Sequence, residues 1–221
     1  MFHLSTEDTI SMNKGKNNIK KEKTTKEKIF EAAVDLFAQK GFDAASMRDI
    51  AAVVGIKQPS MYGHYKSKDE IIDCVFQYFK RELIKMRPPE ARDLEKIDKL
   101  TPEIFRQRAN LTLNLFKDPM MEKIFRILLN EQYRDKRART IVLKCLIHEP
   151  YSFSKAVLEI MVKKGMINKI DPDIKAVEFQ YTIFTLFMEY LLLKSDNLDT
   201  CKIEEMIEKH LDYFVNSLEK Q

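Results

Sequence analysis

Residues 46–65, Ser46-Met-Arg-Asp-Ile-Ala-Ala-Val-Val-Gly-Ile-Lys-Gln-Pro-Ser-Met-Tyr-Gly-His-Tyr65, hold two short helical patterns separated by one glycine. Met47, Ile50, Ala51 and Val54 fall at i, i+3, i+4 and i+7, a single apolar face, and Ser46 ahead of them is a good N-cap. Gly55 ends the first helix, because glycine takes the left-handed backbone of a sharp exit without a Cβ penalty. Small Ala51 lets the next helix cross closely, and Ile56 and Met61 supply the apolar side of that crossing. Pro59 falls in the first turn of the second helix, where its missing N–H costs little. This is the layout of a helix-turn-helix, which lays its second helix against DNA.

The flanking sequence extends the pattern. Ile29, Ala32, Ala33, Leu36 and Phe37 form the stripe of an amphipathic helix over about residues 25–40, closed by Gly41. After the motif, Ser67-Lys-Asp-Glu-Ile opens a further helix. Ile29-Phe-Glu-Ala-Ala-Val-Asp-Leu-Phe-Ala-Gln-Lys-Gly-Phe, Ser46-Met-Arg-Asp-Ile-Ala, Val54-Gly-Ile and Met61-Tyr-Gly-His-Tyr-Lys-Ser-Lys-Asp-Glu-Ile follow one another in the order found in the TetR family of bacterial transcriptional regulators, which the chain resembles over roughly residues 25–75. Two positions depart from that family's pattern. Lys57 stands where Ser or Thr usually caps the recognition helix, leaving its first N–H groups to water or a phosphate oxygen. Gly63 stands within the expected recognition helix where relatives carry a larger side chain, at a cost of about 1 kcal/mol against alanine.

Charge divides the chain in the same place. Up to Pro89 there are 16 Lys and Arg against 12 Asp and Glu, and beyond it 22 against 22, so the net charge of +4 lies in the first part. A basic head on a neutral body suits a protein with one end facing a polyanion, although a Lys-rich surface also serves solubility alone. At 221 residues the chain has room for a small head and a larger second domain. The expected division is a disordered basic arm over 1–23, a helix-turn-helix domain over 24–70, and a helical domain over 71–221 for effector binding and dimerisation. The arm is neither a secretion signal nor a membrane anchor in pattern. Its lysines, seven between Asn13 and Lys28, either trail along phosphates or stay solvated.

Beyond the head the pattern is all-α, with prolines and glycines as punctuation and no strand alternation. Helices are expected at about 69–86, 101–117, 119–134, 136–148, 152–164, 173–194 and 201–218. Residues 173–194 are apolar nearly all round, including Phe184, Phe187, Met188 and Leu191, so that helix is covered on more than one side. Gln180, Thr182, Thr185 and Glu189 interrupt it too often for a membrane span. In the last helix Ile203, Met206, Ile207, Leu211, Phe214 and Leu218 make one stripe opposite acidic residues. The family resemblance implies that these two helices meet their copies across a two-fold axis, with Phe187, Leu191, Ile203, Ile207, Leu211 and Phe214 in the contact. Packing within one chain is the other reading.

For the nucleic acid, Gln58, Ser60 and Lys57 are the candidates for base contact, since they lie in the exposed first turn of the helix that enters the major groove. Tyr62, His64 and Lys66 match the family positions that grip phosphates, and Thr25, Ser46 and Arg48 lie at helix starts whose N–H groups suit anions. Tyr65, beside Ile71, is expected to pack inside. The resemblance also implies a small effector in the body. Phe105, Met120, Met121, Phe125, Leu128, Tyr133, Tyr151, Phe153, Phe184 and Met188 either line an apolar cavity for it or are ordinary core, with Gln180 and Glu189 as polar anchors. Such a cavity leans toward a hydrophobic or aromatic ligand.

No cofactor or metal is expected. Cys74, Cys145 and Cys201 are far apart and lack a Cys-x-x-Cys pair, which fits a reducing cytoplasm. His3, His64, His148 and His210 have no triad or metal-ligand context, and no glycine-rich phosphate loop is present, so catalysis is not expected. The reading is a cytoplasmic, homodimeric, ligand-responsive regulator of double-stranded DNA, with repression implied by the family it resembles; the competing reading is an all-helical carrier of hydrophobic ligands whose head binds a protein.

Overall fold

The computed structural model describes residues 22–86 and 100–219, and among these every regular element is helical. Helix α1 (Thr25–Lys40) starts from Thr24, whose hydroxyl accepts from the Glu27 N–H at 3.3 Å while the Glu27 carboxylate accepts from the Thr24 N–H at 2.7 Å. This capping box satisfies two donors that a helix start leaves orphaned. Helix α2 (Met47–Val54) repeats the device with Ser46 and Asp49. It exits at Gly55, left-handed with φ 78°, where the Ile56 N–H returns to the Ala51 carbonyl at 3.0 Å. Helix α3 (Gln58–Met61) is a single turn, followed by tighter turns that carry the chain to Tyr65.

Helix α4 (Lys68–Lys85) leads into the body, which contains α5 (Glu103–Lys117), α6 (Pro119–Glu131), α7 (Lys136–Ile141), α8 (Glu149–Lys163), α9 (Pro172–Ser195) and α10 (Cys201–Leu218). Asp118 and Asp171 cap α6 and α9, each with proline at the first helical position where no N–H is needed. The expected break between 148 and 152 is absent. Instead Val142–His148 forms a π-helical turn that joins α7 to α8, and the Glu149 N–H reaches back five residues to the Lys144 carbonyl. Pro150 cannot donate to the ladder and its ring crowds the preceding turn, and the wider turn absorbs that conflict without ending the helix.

The buried residues form one apolar cluster running from the head through the body. In the head, Ile29, Ala33 and Phe37 of α1 meet Ile50 and Ala51 of α2, Met61 of α3, and Tyr65, Ile71 and Val75. Helix α6 packs on both α1 and α4. Polar contacts reinforce that seam: the Phe42 N–H donates to buried Glu131 at 3.3 Å, Lys123 pairs with Asp35 at 2.6 Å, and Arg137 reaches Asp73 at 2.8 Å. The boundary expected at 70/71 falls inside α4. The expected arm over 1–23 lies outside the described residues except for its last two.

Gly63 lies beyond α3, not within it, so the cost of glycine in a helix interior does not apply there. A Cβ at this position would meet only the Ser60 carbonyl oxygen, at 3.5 Å, which is ordinary contact. Asp49 is half-exposed, and hydrogen bonds from the Lys40 ammonium, the Ser46 hydroxyl and the Ser46 N–H hold its carboxyl down from 3.8 to about 2. Its native value lies below its unfolded value, so the clip it forms between α1 and α2 is complete above about pH 4 and is lost as pH falls toward 2. Asp49→Asn is therefore expected to melt lower than the wild type at pH 7 and to lose less melting temperature between pH 5 and pH 3. Thermal circular dichroism at the three pH values checks this, and parallel acid profiles would contradict it.

Candidate nucleic-acid interface and effector cleft

The short α3 sorts its side chains by their depth. Met61 is fully buried and Tyr65 nearly so, and burial pushes the Tyr65 phenol up to about 12. Lys57, Gln58 and Ser60 are exposed, and Tyr62 is 51% exposed. The inward pair anchors the turn while its polar side chains stay in solvent. No side chain caps α3 at Lys57, so its leading N–H groups are open to an outside acceptor.

Around this turn lie the expected phosphate-facing residues. Arg48 and Lys66 are exposed, His64 is half-buried, and the Lys66 N–H donates to Glu70 at 2.6 Å. Among the described residues none of Arg48, Lys57 and Lys66 is ion-paired. Asp49, next to Arg48 in the chain, is instead taken up by Lys40 at 2.8 Å. Ser46 is exposed and its hydroxyl accepts the Asp49 N–H at 3.2 Å, which leaves its own hydrogen available. Thr25 occupies the first helical position, half-buried, and the capping is done by Thr24. The surface thus combines unpaired cations, an open helix start and a protruding phenol, a set able to hold phosphate oxygens and reach base edges.

The body contains a narrow, partly open cleft. It lies among α4, α5, α6, the π-helical turn and α9. Phe125, Phe184, Met188 and Gln180 line it. The other seven expected lining residues do not, Met120, Leu128 and Phe153 among them. Phe105 and Met121 are sealed in the core, where Phe105 sits edge-on to Phe179 and Phe214 with ring centroids 5.0 and 5.1 Å apart. Tyr133 is 85% exposed at the end of α6, and Tyr151 turns its hydroxyl to Asp173. Glu189 is exposed and apart from the cleft.

The residues expected at a subunit contact are covered within the single chain. Phe187 and Leu191 line the cleft, and Ile203, Ile207, Leu211 and Phe214 are buried where α10 packs on α5 and α9 of the same chain. Their stripe is consumed by intramolecular packing. The uncovered apolar side chains of these helices are Ile174, Val177, Tyr181 and Leu192 on α9, with Met206 and Tyr213 on α10. Arg108, Thr112 and Phe116 in the cleft wall were missed by the sequence reading. A signal existed: with Phe105 and Ala109 they fall at helical spacing on the apolar face of α5.

Residues 29–75 match the family of bacterial regulatory proteins named tetR. The negative transcriptional regulator of the biofilm operon icaADBC, IcaR of Staphylococcus epidermidis, is 41% identical over 58 residues, covering 24% of this chain and 31% of IcaR. The chain thus matches about a third of the length of that curated relative. Among solved structures, the ketosteroid transcriptional regulator KstR2 of Mycobacterium tuberculosis aligns with a TM-score of 0.63 at 18% identity, over 90% of this chain and 97% of that one. SmeT, solved in complex with triclosan, aligns with a TM-score of 0.61 at 18% identity, over 90% of this chain and 93% of that one. These last two likenesses concern the fold. Residues 29–75 thus carry the sequence pattern of the tetR family of bacterial regulatory proteins, and the described length has the fold seen in these two solved structures.

Proposed function

We propose that this regulator is a cytoplasmic repressor that binds a near-palindromic operator in double-stranded DNA as a homodimer and leaves it when a small apolar ligand enters the cleft. The observation that carries the reading is the sorting of α3, with Met61 and Tyr65 inward and Lys57, Gln58, Ser60 and Tyr62 outward among unpaired cations. In this reading Gln58, Ser60 and Lys57 meet base edges. Tyr62, His64, Lys66, Arg48, Ser46 and Thr25 meet phosphates. IcaR, whose head is similar, is a negative regulator, which supports repression. Residues 24–70 act as the DNA-binding unit, 71–221 as the effector and dimerisation unit, and 1–23 as a basic arm. A carrier function would leave the unpaired cations without a role.

One small recognition helix reads few base pairs, and two heads spaced by roughly 34–36 Å would read two half-sites. The apolar stripe left open on α9, Ile174, Val177, Tyr181 and Leu192, together with Met206 and Tyr213, supplies the subunit contact in place of the buried stripe of α10. Helix α6 carries Phe125 in the cleft wall and Glu131 at the Phe42 N–H, so a ligand that displaces α6 also loads the head. Ligand and operator then oppose one another by the same coupling free energy.

Gel-shift assays with genomic fragments, with and without competitor DNA, test the reading directly; sequence-selective retardation is expected, and none at low salt would overturn it. Gln58→Ala is expected to change sequence preference, at about 1–3 kcal/mol for the contacted base pair, while Lys66→Glu weakens all sequences and lowers the salt slope by about 1. Equal behaviour of the two variants would contradict the assignment of roles. Tyr181→Glu combined with Leu192→Glu is expected to give a folded monomer by sedimentation, whereas Ile207→Asp lowers the melting temperature of the chain itself. A dimer that survives the double substitution would place the contact elsewhere.

A further inference from the structure

Two arginines two residues apart on α5 have opposite surroundings. Arg106 is surrounded by carboxylates, with Glu103 at 3.1 Å, Glu208 at 3.0 Å and Asp212 closer still. Arg108 lies in the cleft wall, and among the described residues no carboxylate is within ion-pair distance of it. Its guanidinium donates to the Met86 carbonyl at the end of α4 and lies 5.7 Å from the centroid of the Phe153 ring. A guanidinium has five N–H donors, so most of its capacity is unspent. Burial lowers its pKa, the mark of a cation that has lost water without gaining an anion.

The rest of the cleft has a matching division. Thr112, one turn along α5, and Gln180 across on α9 are the polar groups near Arg108 in the lining, and the Gln180 amide makes no hydrogen bond among the described residues. Phe116, Phe125, Ile183 and Phe184 make the remainder apolar.

We propose that the effector is an anionic amphiphile, an alkyl carboxylate whose acid group pairs with Arg108 and whose chain lies between α5, α6 and α9. The proposal rests on the reading of this cleft as the effector site and adds the chemical class. A carboxylate would take two parallel N–H donors of the guanidinium, with the Gln180 amide as a further donor, and would compensate a half-buried charge that no described residue pairs. The apolar walls would bury the chain.

Calorimetric titration of the full-length protein at pH 7.5 with decanoate and with 1-decanol, both below their aggregation limits, tests this. Decanoate is expected to bind about tenfold to hundredfold tighter than decanol, the range for a charge-assisted hydrogen-bonded pair in a secluded site. Arg108→Gln is expected to abolish that preference while leaving decanol binding within about twofold, and Arg108→Lys to restore part of it. Circular dichroism checks that the variants keep their helicity, and if Arg108→Gln does not fold, the wild-type preference and Arg108→Lys decide. Equal binding of the two ligands overturns the anionic head but leaves an apolar effector cleft. Binding of neither overturns both readings.

Discussion

The constraint on which the structure turns is the tight corner at Gly55. A one-turn helix has no stability of its own, because nucleation fixes several dihedrals for a single hydrogen bond. Helix α3 exists because Gly55 takes φ 78°, the Ile56 N–H closes on the Ala51 carbonyl, and Met61 and Tyr65 are buried against α1, α2 and α4. Once those two side chains point inward, the period of the turn leaves Lys57, Gln58, Ser60 and Tyr62 no place but solvent. A Cβ at Gly55 meets no atom within 4 Å, so the demand for glycine there comes from the backbone angle alone.

The attachment of head to body follows from a second economy, in which one helix serves two neighbours. Helix α6 packs on α1 and α4 and also contributes Phe125 to the cleft. The seam carries a continuous apolar core, one buried hydrogen bond from Phe42 to Glu131, and exposed ion pairs such as Lys123 with Asp35. Exposed pairs are each worth about 0–1 kcal/mol and the buried hydrogen bond roughly 1 kcal/mol. Those polar contacts together are of the same order as a typical coupling energy of about 1–3 kcal/mol, the scale that the proposed ligand response would need.

What could be read from residues alone was local. The capping serines, the Gly55 exit, the inward Met61 and the Asp-Pro starts at 118 and 171 depend on neighbours within a few positions, and each stands in the structure as its chemistry dictates. The π-helical turn was not legible, since proline at 150 signals a break and only the packing of α8 on α9 holds the helix together through it. Cleft and contact residues were harder still. Phe187, Leu191, Ile207 and Phe214 read identically as interface or interior, and only tertiary packing places the first two at the cleft and the others beneath α5. Tyr133 was misplaced because α6 ends at Glu131, before the stripe reaches it.

The most direct measurement of how the head faces its partner is a titration of the amide-labelled protein with a duplex it selects, followed by two-dimensional nuclear magnetic resonance. If α3 is propped outward as described, the amides of Lys57, Gln58, Ser60, Tyr62 and Lys66, with those of Ser46 and Arg48 at the start of α2, shift first and most, while buried Met61 moves only in their wake. Shifts confined to α9 and α10, or a head that stays unperturbed while the duplex binds, would contradict it.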